Sequence, residues 1–238
     1  MKTVRRVVVA IPARDEEVLL ATCLDSTKRA VAALHQVRPD VHTVVVVGLD
    51  DCTDHSESVA VRAAVHTIAL HREGVGPTRD AAIRHGLSLV SNALVADERA
   101  EHHTWVACTD ADTVVPPTWL IRQVMWAESG MDLVIGTVEP IDDGDPAVLA
   151  AWHSRHRLAE GHPYVHGANL GMRADTWRAA GGFGRRALGE DVALVARAQS
   201  DTDRWVATDT TRVTTSARLD GRAAGGFADY LEVLGDLQ

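Results

Sequence analysis

Cysteine is scarce in this 238-residue chain: the three present, Cys23, Cys52 and Cys108, are odd in number, far apart and never arranged as C-x-x-C. Their placement argues against a disulfide framework or a structural zinc site and for a reducing, cytoplasmic setting. Long apolar runs are missing too. Crossing a bilayer takes roughly 18 to 20 uninterrupted apolar residues. The opening Met1-Lys-Thr-Val-Arg-Arg leads only into Val7-Val-Val-Ala-Ile11, too short for the apolar core of a signal peptide. The expectation is no integral membrane segment, with a peripheral association left open. Excess positive charge is also absent. The formal net charge of −9 argues against a non-specific hold on nucleic acid or an anionic membrane, so any anionic ligand must be met by a local site. No G-x-G-x-x-G follows the first apolar run, which speaks against a dinucleotide dehydrogenase. Neither an internal repeat nor a long linker divides the sequence, and one domain over residues 1–238 is expected.

What is present is an alternation of short β-branched runs with longer amphipathic stretches. Strands are read at Val7–Ile11, Val41–Val47, His66–Leu70, Thr104–Cys108 and Leu133–Val138. Helices are read from Glu16 to about Gln36, Asp54 to Val65, Gly76 to Val90, Pro117 to Glu128 and Ala147 to Glu160, with Pro77 in a first turn. Continuous apolar strands separated by helices predict an α/β fold with a mostly parallel sheet covered on both faces. Ligands of such sheets bind beyond the carboxyl ends of the strands. Ala96–His103 reads as a surface loop. The tail Asp220–Gln238, with an amphipathic piece at Phe227–Leu234, reads as a lid, a docking helix that could serve an oligomer, or a partly ordered end.

Chemistry concentrates at three strand ends. Thr104-Trp-Val-Ala-Cys-Thr-Asp-Ala-Asp-Thr113 is an apolar strand running into Asp110-Ala111-Asp112. Two carboxylates at i and i+2 project to one side of an extended backbone and make a hard, oxygen-rich pocket for Mg²⁺ or Mn²⁺. Ile11-Pro-Ala-Arg-Asp-Glu-Glu17 ends the first strand with an acidic turn, and Val47-Gly-Leu-Asp-Asp-Cys-Thr-Asp54 ends the second with three carboxylates. Gly74-Val-Gly-Pro-Thr-Arg-Asp80 opens a helix with a glycine-rich turn and a cation, Arg79, suited to a diphosphate.

The order of these segments, from Val7 to about Arg218, resembles the family 2 glycosyltransferases of GT-A fold. The 11–17 turn is similar to the family's "P-x-x-N-E-E", with Asp15 where Asn is usual. The 49–54 segment is similar to "D-D-x-S-x-D", with Leu49 replacing the first Asp. Arg79-Asp80 resembles an "R-N", and Asp110-Ala-Asp112 the metal-binding D-x-D. Asn169-Leu-Gly-Met-Arg173, Gly181-Gly-Phe183 and Glu190-Asp191 resemble the acceptor-side series. The resemblance implies a nucleotide-binding half to about residue 115 and an acceptor-side half over 116–219. It also implies transfer of a sugar from a nucleotide-diphospho-sugar donor to an unidentified acceptor, with Mg²⁺ or Mn²⁺ on Asp112 and Asp110 and inversion at the anomeric carbon. Pro12, Ala13, Arg14 and Glu16 would frame the nucleoside and Asp50 would accept from the base. Asp110, Ala111, Asp112 and Arg79 would meet the diphosphate. His166, Gly167, Asn169 and Glu190 would line the acceptor side, with Asp191 as general base. One departure is a late histidine, usual as a further metal ligand: no histidine follows His166, and Val213-Thr-Thr-Ser216 lies where it would stand.

Plainer readings stand beside these. Asp15 and Asp54 could be helix caps, and Gly181-Gly182 a helix terminator. His153, His156, His162 and His166 read more readily as a solvated face and loop than as a metal cluster. Arg185-Arg186 is either an exposed basic pair or a contact for an anionic acceptor. The tryptophans at 119, 126, 152, 177 and 205 read as packing. A nucleotidyltransferase making a nucleotide-sugar and a non-catalytic binding relative are the rival functions. The first is disfavoured because the 12–17 turn is acidic and glycine-free.

Overall fold

A computed structural model describes residues 3–92, 101–141, 144–185, 188–218, 230, 232 and 233. Its strands are β1 (Arg6–Ala13), β2 (His42–Asp50), β3 (His66–Leu70), β4 (Thr104–Cys108), β5 (Thr113–Val114), β6 (Leu133–Pro140), β7 (Leu170–Arg173) and β8 (Trp205–Thr215). The helices are α1 (Leu20–Val37), α2 (Ser56–Arg62), α3 (Val75–Asn92), α4 (Trp119–Glu128), α5 (Pro146–Arg155), α6 (Ala174–Ala179) and α7 (Glu190–Asp201). They build one sheet in the order β3-β2-β1-β4-β7-β6-β8-β5. Strands β1 to β4 run parallel, β7 is antiparallel to both β4 and β6, and β8 is parallel to β6.

The apolar strands are uniformly hydrophobic because both of their faces are covered. In β1, Val7, Val9 and Ile11 join one core with Leu20, Leu24 and Leu34 of α1 and Trp119 of α4. Val8 and Ala10 point the other way, into a second core with Ile83 and Leu87 of α3, Trp177 of α6 and Leu194 of α7. Each fully buried aliphatic side chain contributes about 1.5–3 kcal/mol, so the strand that alternates between the cores ties them together. Of the tryptophans read as packing, Trp119, Trp152 and Trp177 are buried and Trp126 half-buried, whereas Trp205 is 40% exposed; Trp105 is buried as well.

Helix boundaries differ from the periodicity in one informative place. Helix α1 begins at Leu20 rather than Glu16. Asp15 is left-handed (φ 51°), and the N–H groups of Glu16 and Glu17 donate to Ser56 Oγ at the start of α2 and to Asp54 Oδ2 just before it. These bonds hold the 15–19 segment as a turn at the sheet's rim. The predicted N-cap role of Asp15 is therefore corrected: its Oδ1 accepts from the backbone of Thr53 and Asp54, tying the turns after β1 and β2 together. Asp or Asn suits such a backbone, since both visit the left-handed region more readily than most residues. Asp54 does serve the start of α2, accepting from Ser56 N. Helix α5 stops at Arg155, short of Glu160; its N-cap, Asp145, accepts from Ala147 and Val148 ahead of Pro146 at the first position. The expected surface loop over 96–103 lies mostly, and the 220–238 tail almost wholly, outside the described residues, as do residues 142 and 143 of the loop before α5.

Helix α3 lies so close to the sheet that only glycine fits at position 86. A Cβ there would come 2.4 Å from Val8 Cγ1 and 3.3 Å from Val46 Cγ2. Gly86→Ala gains helix propensity of up to about 1 kcal/mol but overpacks both strands, costing about 1–3 kcal/mol. A lower urea midpoint at unchanged slope is the expected result; a raised midpoint would mean that the helix moves aside freely.

Candidate active site

The strand order reverses between β1 and β4, the place where an open α/β sheet leaves a crevice beyond its carboxyl ends. The turn carrying Arg14–Glu17 leaves β1 there, and Asp110-Ala-Asp112 leaves β4. Pro12 and Ala13 are buried strand-end residues in register with Gly48 and Leu49. Next door, Asp50 ends β2, only 3% exposed. Its two oxygens accept from the backbone N–H of Glu73 at 2.8 Å and of Gly74 at 3.0 Å, and Arg14 reaches it with a guanidinium nitrogen at 3.0 Å. Gly74 is left-handed (φ 88°), which a side chain would strain. The carboxylate is thereby fixed in plane, with lone pairs left for a further donor.

Arg79 is the hinge of the site. It is 1% exposed, with one guanidinium nitrogen 2.7 Å from Asp110 Oδ1 and another 3.0 Å from Glu190 Oε1. The Phe183 ring lies under it at 5.0 Å, and a Cβ on Gly167 would come 2.7 Å from it. The carboxylates of Asp110 and Glu190 hold its charge firmly despite burial. Arg79, grouped with the diphosphate from sequence, here fixes the first D-x-D carboxylate and the start of α7 relative to each other. Asp80, its neighbour, accepts from Phe183 N at 3.0 Å and so pins the Gly181-Gly-Phe183 turn that ends α6. Gly76 is needed because a Cβ would meet the Gly184 carbonyl at 2.6 Å and Glu190 Cγ at 2.8 Å.

Among the residues that the sequence groups with the acceptor, Asp191 stands in the first turn of α7. Its Oδ2 accepts from Gly167 N and its Oδ1 from Val192 N, each at 2.7 Å. His166 lies close enough to feel the Asp191 charge, but burial outweighs it and holds the imidazole below its usual pKa, in the neutral form. Asn169, grouped with the acceptor side from sequence, is 1% exposed. Its amide donates to the carbonyls of Thr137 and Thr211 and accepts from Trp119 Nε1, so it braces β6 and β8 behind the site. Arg185 pairs with Glu73 at 2.6 Å, while Arg186 lies outside the described residues.

The second D-x-D carboxylate is crowded by its own charge. Burial first, then Asp110 and Glu16, push the Asp112 carboxyl up to about 6, against the pull of Arg218 and the Thr215 hydroxyl. Thr215 Oγ donates to Asp112 at 3.2 Å and Ser216 N to its carbonyl, so the stretch that replaces the late histidine does reach the D-x-D. Arg218 is the residue that sequence reasoning missed. It clasps Glu16 with two nitrogens and stands 3.2 Å from Asp112 Oδ2. Its signal in the sequence is a cation two residues beyond the 213–216 stretch. Among the described residues, three side-chain ligand atoms converge at Asp15, Cys52 and Asp54, and these carboxylates already accept backbone N–H bonds. Among the described residues, the histidines at 153, 156, 162 and 166 form no group with metal-ligand spacing: His156 stacks on Trp152, and His162 faces the Ile135 carbonyl. The D-x-D offers carboxylate oxygens of the kind a hard divalent ion takes, although Arg79 already holds Asp110 and Arg218 stands beside Asp112. Two protein ligands then leave the remaining positions to water or substrate oxygens.

A raised Asp112 pKa carries a stability signature. Its favourable share of folding is fully present below the ordinary carboxylate value near 4 and is lost as pH rises through about 6. In EDTA, Asp112→Asn should unfold about 1–3 kcal/mol less easily than the wild type at pH 7.5, the gap closing below about pH 4. Thermal or urea unfolding across that range measures it, and a pH-independent gap would contradict the assignment.

A family model described as "Glycosyl transferase family 2" matches residues 8–189. No curated protein matches the chain significantly. Among solved structures, Staphylococcus aureus TarS 1-349 in complex with UDP-GlcNAc superposes with a TM-score of 0.65 at 13% identity, covering 98% of this chain and 65% of that one. Mycobacterium tuberculosis glucosyl-3-phosphoglycerate synthase, in complex with Mn²⁺, UDP-glucose and phosphoglyceric acid, gives 0.58 at 16% identity, covering 97% and 78%. The mannosyltransferase PcManGT of Pyrobaculum calidifontis, in complex with GDP-Man and Mn²⁺, gives 0.55 at 18%, covering 92% and 58%. This chain thus spans just under two thirds of the TarS fragment. No helix among its described residues is long and apolar enough to cross a membrane. With the family model matched over most of its length and the fold shared with these structures, the chain belongs to glycosyl transferase family 2 and has the GT-A fold.

Proposed function

We propose that this protein transfers a sugar from a nucleotide-diphospho-sugar to an acceptor hydroxyl, with inversion, using Asp191 as general base. One observation carries the reading. Arg79 joins Asp110 to Glu190, so the pair expected to manage the diphosphate and the residue beside the expected base are fixed on one guanidinium. The turn 12–16 would frame the nucleoside, with Asp50 accepting from the base N–H. The neighbours' complexes with UDP-GlcNAc, UDP-glucose and GDP-Man support a nucleoside diphosphate sugar of this kind. Mg²⁺ or Mn²⁺ held by Asp112 and Asp110 would supply positive charge to the leaving diphosphate.

In the proposed reaction the acceptor oxygen forms a bond to the anomeric carbon as the bond from that carbon to the phosphate oxygen breaks. The acceptor proton passes to Asp191, and the electron pair leaves with the nucleoside diphosphate. Asp191 is suited to this because two backbone N–H groups fix its plane at the head of α7. Neutral His166 and the Gly167 backbone beside it would line the acceptor entrance. Arg185, paired with Glu73 through one nitrogen and otherwise exposed, would offer its other nitrogens to an anionic acceptor.

Asp191→Ala should lower turnover about 10²–10⁴-fold and leave donor affinity within a few-fold, whereas Asp112→Ala should weaken Mn²⁺-dependent binding of UDP- or GDP-sugars. Nucleoside diphosphate release and thermal shift with a donor panel read the two effects separately. Retained turnover in Asp191→Ala removes it as the base, and pyrophosphate release from a nucleoside triphosphate would favour a nucleotidyltransferase instead.

A further inference from the structure

The D-x-D already has a cation of the protein's own beside it. Arg218 follows β8, 24% exposed at its side chain, and its guanidinium lies across two carboxylates that belong to different strand ends. Glu16, 7% exposed at its side chain, takes both of its terminal nitrogens, one at 2.7 Å to Oε2; Asp112 Oδ2 is 3.2 Å from Nη2. Asp112 Oδ1 is engaged by Thr215 on the other side. A metal ion that approaches Asp112 must therefore displace a positive charge standing at ion-pair distance, or be repelled by it. A diphosphate arriving with the metal changes the balance, because its oxygens match a guanidinium fork as well as a carboxylate does.

We infer that Arg218 is a positioning residue that competes with the metal for Asp112 in the donor-free protein and moves onto the diphosphate when metal and donor bind together. The metal alone then binds weakly, and the site accepts the ion as a complex with diphosphate. Glu16 is the anchor from which the guanidinium turns, so the acidic turn after β1 acts on the D-x-D through Arg218. This rests on the donor reading of the same site, and extends it by coupling the metal to the donor.

The test compares wild type, Arg218→Gln and Arg218→Lys. Manganese alone is titrated by electron paramagnetic resonance, and inorganic pyrophosphate by calorimetry at saturating Mn²⁺. Without the guanidinium, Arg218→Gln should bind Mn²⁺ alone about tenfold tighter or more yet bind pyrophosphate about tenfold more weakly. Arg218→Lys should fall between it and the wild type on both. Equal or weaker Mn²⁺ binding by Arg218→Gln would overturn the competition, and unchanged pyrophosphate affinity would overturn the transfer to diphosphate. Because Arg218→Gln leaves Glu16 without its partner, Glu16→Gln combined with Arg218→Gln provides a charge-balanced variant for the same two titrations, with thermal unfolding as the check on folding. Failure of wild type to bind either UDP or GDP in Mn²⁺ would sink the donor reading, while the Mn²⁺ titration would still decide the hold of Arg218 on Asp112.

Discussion

A buried guanidinium holds this site together. Taking a charge out of water costs several kcal/mol even after relaxation, and Arg79 is almost wholly buried. Its position is tolerable only because Asp110 and Glu190 supply opposite charge at hydrogen-bond distance and Phe183 supplies the face of a ring. The constraint propagates outward. Gly167 must lack a side chain for the guanidinium to fit, and Gly76 must lack one for Glu190 to approach α3. Gly167, in turn, donates to Asp191. The strand that ends in the D-x-D and the helix that carries Asp191 are therefore set by one ion-pair network rather than by the sheet alone.

The neighbouring carboxylates show the opposite economy. Glu16, Asp110 and Asp112 gather where the fold alone would disfavour them, and Asp112 is strained toward its protonated form. Functional sites commonly trade stability for charge in this way. The rest of the rim is conservative: each Asp50 oxygen accepts from a backbone amide, and Asp15 and Asp54 stitch two turns together.

Much of this was legible in the sequence, for identifiable reasons. Val7–Ile11 and Thr104–Cys108 are strands because uniform apolar runs of that length fit a sheet covered on both faces, and their acidic followers had to land at its rim. The Glu190-Asp191 pair indeed opens a helix. What could not be read depended on partners far along the chain. The late start of α1 reflects bonds from Glu16 and Glu17 to Ser56 and Asp54 at the head of α2, which periodicity does not register. The two-residue β5 exists only because β8 crosses beside it. Arg79 looked like a ligand for phosphate, since a cation at a glycine-rich turn commonly is one, and nothing local announced that Glu190 would bury it. Asn169 looked like a contact on the acceptor side and proved to be a strut for β6 and β8.

The clasp between Glu16 and Arg218 joins positions 202 residues apart. With it, the antiparallel pairing of Thr113 with Thr215 brings the last described strand up to the turns that leave β1 and β4. Such a closure is among the longest loops this chain can form, and long-range closures are entropically expensive and slow to form. The sheet strands β1 to β4 can pair before residue 205 is in place; the pocket cannot be completed until β8 docks. During synthesis, therefore, the β1–β4 part of the sheet exists for a time as an open cradle, and the rim at Asp112 closes only when β8, the last strand among the described residues, arrives.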